Sequence, residues 1–241
     1  MKDRKIESHP IPNKKTKDTM YAPPLTFFTF VAAVTTWCSA ITTTIAVPLP
    51  HIPSQFSADL IITSHQLDPK QNYPPRERHI KIVYDNIGGM AYAKIIKGYE
   101  AGRTYIRRYD LKNEYMVRGG KYPECRRSYL GEKMPEVLFP RQIQYKGKDN
   151  NNNNADHWIY ENVDSLVHIY SKDLLPFQAT EESIANGKKV PLSTYEFRNM
   201  VVGPPKDKNI FEIPSGYTHE TCENYVGGYP YLHAFLHFLR F

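Results

Sequence analysis

Residues 79–109 read HIKIVYDNIGGMAYAKIIKGYEAGRTYIRRY, and three runs within them decide the fold class. HIKIVYD (79–85) sets Ile80, Ile82 and Tyr84 against polar neighbours and stops at Asn86-Ile87-Gly88-Gly89. MAYAKIIK (90–97) follows, then Gly98 and Ala101-Gly102, then RTYIRRY (103–109). Alternation with period two, interrupted by glycine turns at short intervals, is the pattern of an antiparallel meander. One face of such a sheet packs on a core and the other meets solvent.

The same pattern extends outward in both directions. FSADLIITS (56–64) precedes it, and a short strand at 114–117 ends at Gly119-Gly120. Further on stand HWIYENV (157–163), LVHIYS (166–171), LPFQAT (175–180) and LSTYEFRNMVV (192–202), with breaks at Asp164, Asp173 and Asn186-Gly187. No sustained 3.6-residue apolar period occurs before the C-terminus, and GEKMPEVLFP (131–140) reads as an irregular excursion or short helix. The use of 18 tyrosines and of 19 prolines against 13 glycines also favours strands with stiff connections. The expectation is a mainly β protein of the β-rich α+β class, with a few short helices.

Asn150 to Asn154 form an unbroken asparagine run beside Lys146-Gly147-Lys148-Asp149. A tract this polar buries no apolar area, so residues 147–155 are expected to be a disordered loop.

The N-terminus carries the targeting signal. Residues 25–47 (LTFFTFVAAVTTWCSAITTTIAV) contain no charge, and residues 1–24 form a basic n-region with Lys2, Arg4, Lys5, Lys14, Lys15 and Lys17. Basic residues stay cytoplasmic, so the chain beyond the apolar segment is translocated. Two fates stay open. Small residues at Cys38 and Ala40, or at Thr44 and Ala46, suit cleavage of a signal peptide, whereas the length permits a single-pass type II anchor. Pro48, Pro50 and Pro53 then make a Pro-rich linker at 48–55. About 190 residues remain, enough for one substantial core.

Half of the net +6 charge lies ahead of the apolar segment, so the high pI says little about a nucleic-acid partner. Arginines at 103, 107, 108, 118, 126 and 127 are interleaved with Tyr105, Tyr109, Tyr115, Tyr122 and Tyr129. In the cytosol that pattern would suit single-stranded nucleic acid. After translocation it suits an anionic lipid headgroup, an acidic partner such as a lumenal or extracellular protein, or ordinary solvated strand faces. Tyr105, Arg107, Arg108, Tyr109, Tyr115 and Trp158 are the candidate ligand or partner surface. Of the three cysteines, Cys38 lies in the apolar segment, leaving Cys125 and Cys222 either as a disulfide or as two buried thiols.

Catalytic signals are missing from the sequence. There is no G-x-S-x-G, P-loop or HExxH, and Asp85, Asp110, Asp164 and His168 make no recognisable acid–base set. His233 and His237 stand four apart, as metal ligands on a helix can, but an amphipathic aromatic tail at 223–241 explains them as well. No cofactor or metal site is read. A hydrolase is the third-ranked reading.

The run VVGPPKDKNIFEIPSGYTHETC (201–222) resembles the closing pattern of lipoprotein-carrier-like domains related in fold to LolA, found in secreted eukaryotic proteins and ahead of some papain-family cysteine peptidases. FSADLIITS, YIRRYDLKNEYMV (105–117), YPEC (122–125) and HWIY (157–160) are similar to that group in order and spacing, so the resemblance spans 56–222. It implies a curved antiparallel sheet, an open half-barrel, with small helices over an apolar concavity that holds acyl chains. The group's pattern has a cysteine just before the His157-Trp158 pair, where this sequence has Ala155 and Asp156, which leaves the partner of Cys125 open. No peptidase domain is read in the sequence, so no catalytic role carries over. The expected function is a lipid or apolar-ligand binding domain, or alternatively a protein-interaction or regulatory domain.

Overall fold

A computed structural model describes residues 47–225 apart from 69, 71–75, 137, 140–141 and 186. Residues 25–46 of the apolar segment, its cleavage sites and residues 226–241 of the tail, with His233 and His237, lie outside the described residues. Among the described residues, no helix is long and apolar enough to cross a membrane.

Twelve strands form one sheet: β1 Gln55–Ser64, β2 Glu77–Asp85, β3 Met90–Lys97, β4 Arg103–Arg108, β5 Asn113–Arg118, β6 Glu124–Tyr129, β7 Gln144–Asp149, β8 Ala155–Glu161, β9 Ser165–Lys172, β10 Leu175–Ala185, β11 Lys188–Val202 and β12 Glu223–Asn224. Their order is β12-β6-β5-β4-β3-β2-β1-β11-β10-β9-β8-β7. All pairings are antiparallel except the short one of β12 with β6. The sheet is open and curved, not a closed barrel. Helical content among the described residues is two 3-10 turns, Asn150–Asn152 and Lys208–Phe211.

The topology accounts for the curvature. β1 to β6 run outward to one edge, and β7 to β11 return from the opposite edge to the middle. The connection between Tyr129 and Gln144 therefore passes from edge to edge. A flat sheet would place those edges roughly 48 Å apart at about 4.8 Å per strand. Fifteen residue steps reach at most about 54 Å when fully extended. Here the connection is not extended, because it dips to the sheet centre, where Tyr84 Oη donates to the Pro135 carbonyl at 2.7 Å. The edges must curl towards each other for the chain to reach. We call the face it crosses the inner face.

Cross-strand register carries one apolar row over that face. Met116, Tyr105, Ala93, Ile82 and Ala58 are successive neighbours from β5 to β1. Ile62, Tyr195, Ala179, Ile169 and Trp158 continue a parallel row from β1 to β8. Alanines at 58, 91 and 93 keep the crowded inside of the curve thin. The outer face carries its own row, Val201, Ser57, Val83, Tyr92, Ile106, Tyr115 and Arg127, from β11 to β6. Residues 203–222 lie over the β2–β6 part of it and add Phe211 and Cys222 to a second core with Val83, Ile106, Tyr115, Val117 and Cys125.

Cys125 and Cys222 are disulfide-bonded, which resolves the choice left open by the sequence. The bond fastens this outer strap to β6. The asparagine run corrects the expected disordered loop at 147–155. It is a tight β7–β8 connection in which Asp149 accepts from Asn151 N at 2.9 Å and Asn153 and Asn154 take φ of 54° and 55°. Asparagine tolerates the left-handed region that such turns need.

Candidate functional site

The inner face is the one extended apolar surface that the fold curls around, and its cover is built from the crossing segment. Met134 and Phe139 pack half-buried against the floor, and Ile143 is buried in it. Ile52 joins from the chain ahead of β1. The segment is tied to the sheet by the Pro135 carbonyl, which accepts from Tyr84 Oη and, at 3.3 Å, from Asn86 Nδ2. Its own side chains take up most of the room. A hollow of about 10 Å³ remains between Ile52, Phe139, Ile169, Pro176, Gln178, Ala179 and Phe197. A second, of about 170 Å³, opens beside Ile52, Tyr84, Asn86, Glu136 and Leu138. The small helices that the resemblance implied over this concavity are absent among the described residues of 131–143, where Pro135 supplies no N–H for a helix.

One end of the inner face is charged. Arg107 on β4 and Glu114 on β5 are direct cross-strand neighbours, each side chain 1% exposed. Arg107 Nε donates to Glu114 Oε1 at 2.7 Å, and Nη1 donates to Tyr109 Oη at 3.0 Å. Ser128 Oγ donates to the other Glu114 oxygen at 3.5 Å. Burial opposes the Arg107 charge, but Glu114 and Tyr109 outweigh it and raise its pKa. The phenol of Tyr109 is also pushed up, chiefly by burial. At the other end Trp158 Nε1 donates to Ser171 Oγ at 3.0 Å, and its ring lies 4.8 Å from that of Tyr145.

The six candidate surface residues thus fall on both faces. Tyr105, Arg107 and Trp158 stand on the inner face, whereas Arg108 and Tyr115 stand on the outer one. Tyr105, Arg107, Tyr109, Tyr115 and Trp158 are all buried, so they offer no open surface. Arg108 is tied to Asp110 and Glu212, both at 2.8 Å, and Tyr115 Oη shares a hydrogen bond of 2.8 Å with His219 Nδ1. The alternation suggested solvated faces because it cannot register a sheet covered on both sides.

The acid–base candidates do not converge. Asp85 accepts from Gln55 Nε2 at 2.7 Å and from Gly88 N at 2.9 Å, which makes it a turn residue. Asp110 is held below the usual carboxylate range by Arg108. His168 belongs to a separate cluster that the sequence did not reveal as one. His157 Nε2 and His168 Nδ1 share a hydrogen bond of 3.0 Å, and His168 Nε2 lies 3.4 Å from Glu182 Oε2. The ring of His157 also stacks on Tyr170, centroids 4.8 Å apart. Among the described residues, no group of three or more His, Cys, Asp or Glu is placed to hold a metal ion.

This cluster gives a pH prediction with a defined sign. Burial, and secondly the charge of His168, lower the pKa of His157, while Asp149 raises it and Lys146 lowers it. The unfolded chain then binds more protons than the folded one, so stability is lost as pH falls from about 6.5. The carboxylates held low, Asp110, Asp156 and Glu77, act with the same sign in a lower window, below about pH 4. Urea midpoints at pH 7.5 and about 5.5 should therefore differ, and His157→Asn should narrow the gap. An unchanged gap would assign the dependence to other groups.

No family model matches the chain, and no curated protein matches it. Among solved structures it is similar to an uncharacterized conserved protein from Thermus thermophilus, with a TM-score of 0.45 and 8% identity over 72% of this chain and 91% of that one. It is also similar to a LolA superfamily protein from Nitrosomonas europaea, with a TM-score of 0.32 and 10% identity over 66% of this chain and 91% of that one.

Proposed function

We propose that this chain is a secretory-pathway, non-catalytic domain that binds a lipid or another apolar ligand on the inner face, beneath the crossing segment. The observation that carries this reading is the nature of the cover. The crossing segment places Met134, Phe139 and Ile143 where an acyl chain would otherwise lie. Such a cover exchanges one apolar partner for another, so its displacement costs little burial. The disulfide supports an oxidising compartment. The charge asymmetry around residues 25–47 supports the route there, by signal peptide or by anchor.

The test is the protein secreted from a eukaryotic host, analysed by native mass spectrometry and by solvent extraction. Bound lipid is the expected result. Phe139→Ala empties part of the cover and should raise the affinity for 1-N-phenylnaphthylamine several-fold, since each methylene-sized gain in apolar burial is worth about 0.8 kcal/mol. Absence of bound lipid, together with no response of the probe to Phe139→Ala, would end the reading.

A further inference from the structure

The outer face holds a hollow larger than either inner one. Its volume is about 350 Å³, and it opens where the strap leaves β11. Its cause lies in the local sequence. Gly203, with φ 125° and its N donating to the Gln55 carbonyl at 2.9 Å, turns the chain away from the sheet. Pro204 and Pro205 stiffen the departure. The chain returns at the 3-10 turn, where Phe211 is 1% exposed in the outer core and Asp207 accepts from Asn209 N at 2.9 Å. Between these attachments the strap arches over the outer row. The floor there reads Val201, Ser57, Val83, and the serine leaves a notch between two valines.

We propose that this arch binds a single-chain anionic amphiphile such as a fatty acid, its tail on the Val201–Ser57–Val83 floor and its head group between Lys81 and Lys206. Charge complementarity argues for the anion. Lys81 and Lys206 both line the hollow, and neither is held in an ion pair among the described residues. Asp207 also lines the hollow and accepts from Asn209 N, and Asp59, the cross-strand neighbour of Lys81, accepts from Asn199 Nδ2 at 2.8 Å; among the described residues neither forms an ion pair with a lysine. The apolar walls argue for the tail. The volume sits at the small end of ligand pockets, which suits one alkyl chain and not two. This site is distinct from the inner face and does not depend on it.

Decanoate and decanol, titrated calorimetrically into the full chain, test the proposal. Decanoate should bind, and Ser57→Leu, which fills the notch, should weaken it about tenfold or more. Lys81→Ala with Lys206→Ala should weaken decanoate about three- to tenfold and leave decanol unchanged. Decanoate affinity that is unchanged in a Ser57→Leu variant of normal thermal stability would overturn the site. Should Ser57→Leu fail to fold, exposed Lys206→Glu carries the same test, and unchanged affinity there overturns it too. A decanoate signal that responds to Phe139→Ala alone would place the ligand on the inner face and also overturn the arch.

Discussion

Cys125→Ser with Cys222→Ser is expected to lower the unfolding free energy by about 4–5 kcal/mol, as a decrease in the urea midpoint. The two cysteines are 97 residues apart, so the bond removes a long loop from the freedom of the unfolded chain. The folded state adds to the effect. Both cysteines are buried in the outer core, where serine hydroxyls would have to find new partners. The loss should be local first. The strap would detach before the sheet melts, exposing Val83, Ile106 and Val117, because β12 contributes only two residues of pairing to that edge. Hydrogen exchange on the double variant checks this order: residues 204–222 should lose protection while β1 and β2 keep theirs. A midpoint equal to that of the parent would mean that the strap holds without its bond.

Arg107→Met should cost about 3–5 kcal/mol, because it leaves the Glu114 carboxylate buried beside a thioether. Glu114→Leu should cost a similar amount through the stranded guanidinium. The double variant Arg107→Met with Glu114→Leu should recover most of either loss, since a buried pair can be replaced by apolar side chains of similar volume at little net cost. A double-mutant cycle in urea reads the coupling directly. Additive single losses would show that the two groups do not stabilise each other in the fold.

Much of this sheet was legible from alternation alone. Met90–Lys97 has the bounds that its glycine neighbours suggested, and the β2, β4, β5 and β8–β11 segments fall within a few residues of their expected limits, except where β10 and β11 run further into their hairpin. β6 and β7 were not legible. ECRRSY and QYKGKD carry almost no apolar residues, and β7 is an exposed edge strand with no inward face to mark it. The closing run breaks from the sheet at Gly-Pro-Pro, which cannot continue a strand pair, and buries Phe211 at the turn that follows. The candidate site was much less legible. Which face Tyr105 or Tyr115 occupies follows from register, but burial of both faces follows from two covers, 131–143 and 203–222, that have no periodicity of their own. The notch at Ser57 exists only because Val201 and Val83 come from strands far apart in sequence.

The position of β1 has a consequence for how the molecule is made. It lies at the centre of the sheet, with β2 on one side and β11 on the other, so that Asp59 meets Asn199, 140 residues later. A chain delivered from its N-terminus can lay down β1 to β6 as it emerges, but it must hold the second edge of β1 open until β11 arrives. Contacts of such long range slow assembly to milliseconds or seconds. During that wait an apolar strand edge is available to the wrong partner. The centre of this sheet is therefore closed only once β11 arrives, and the stage at which it most needs protection is a half-built sheet ending at its own first strand.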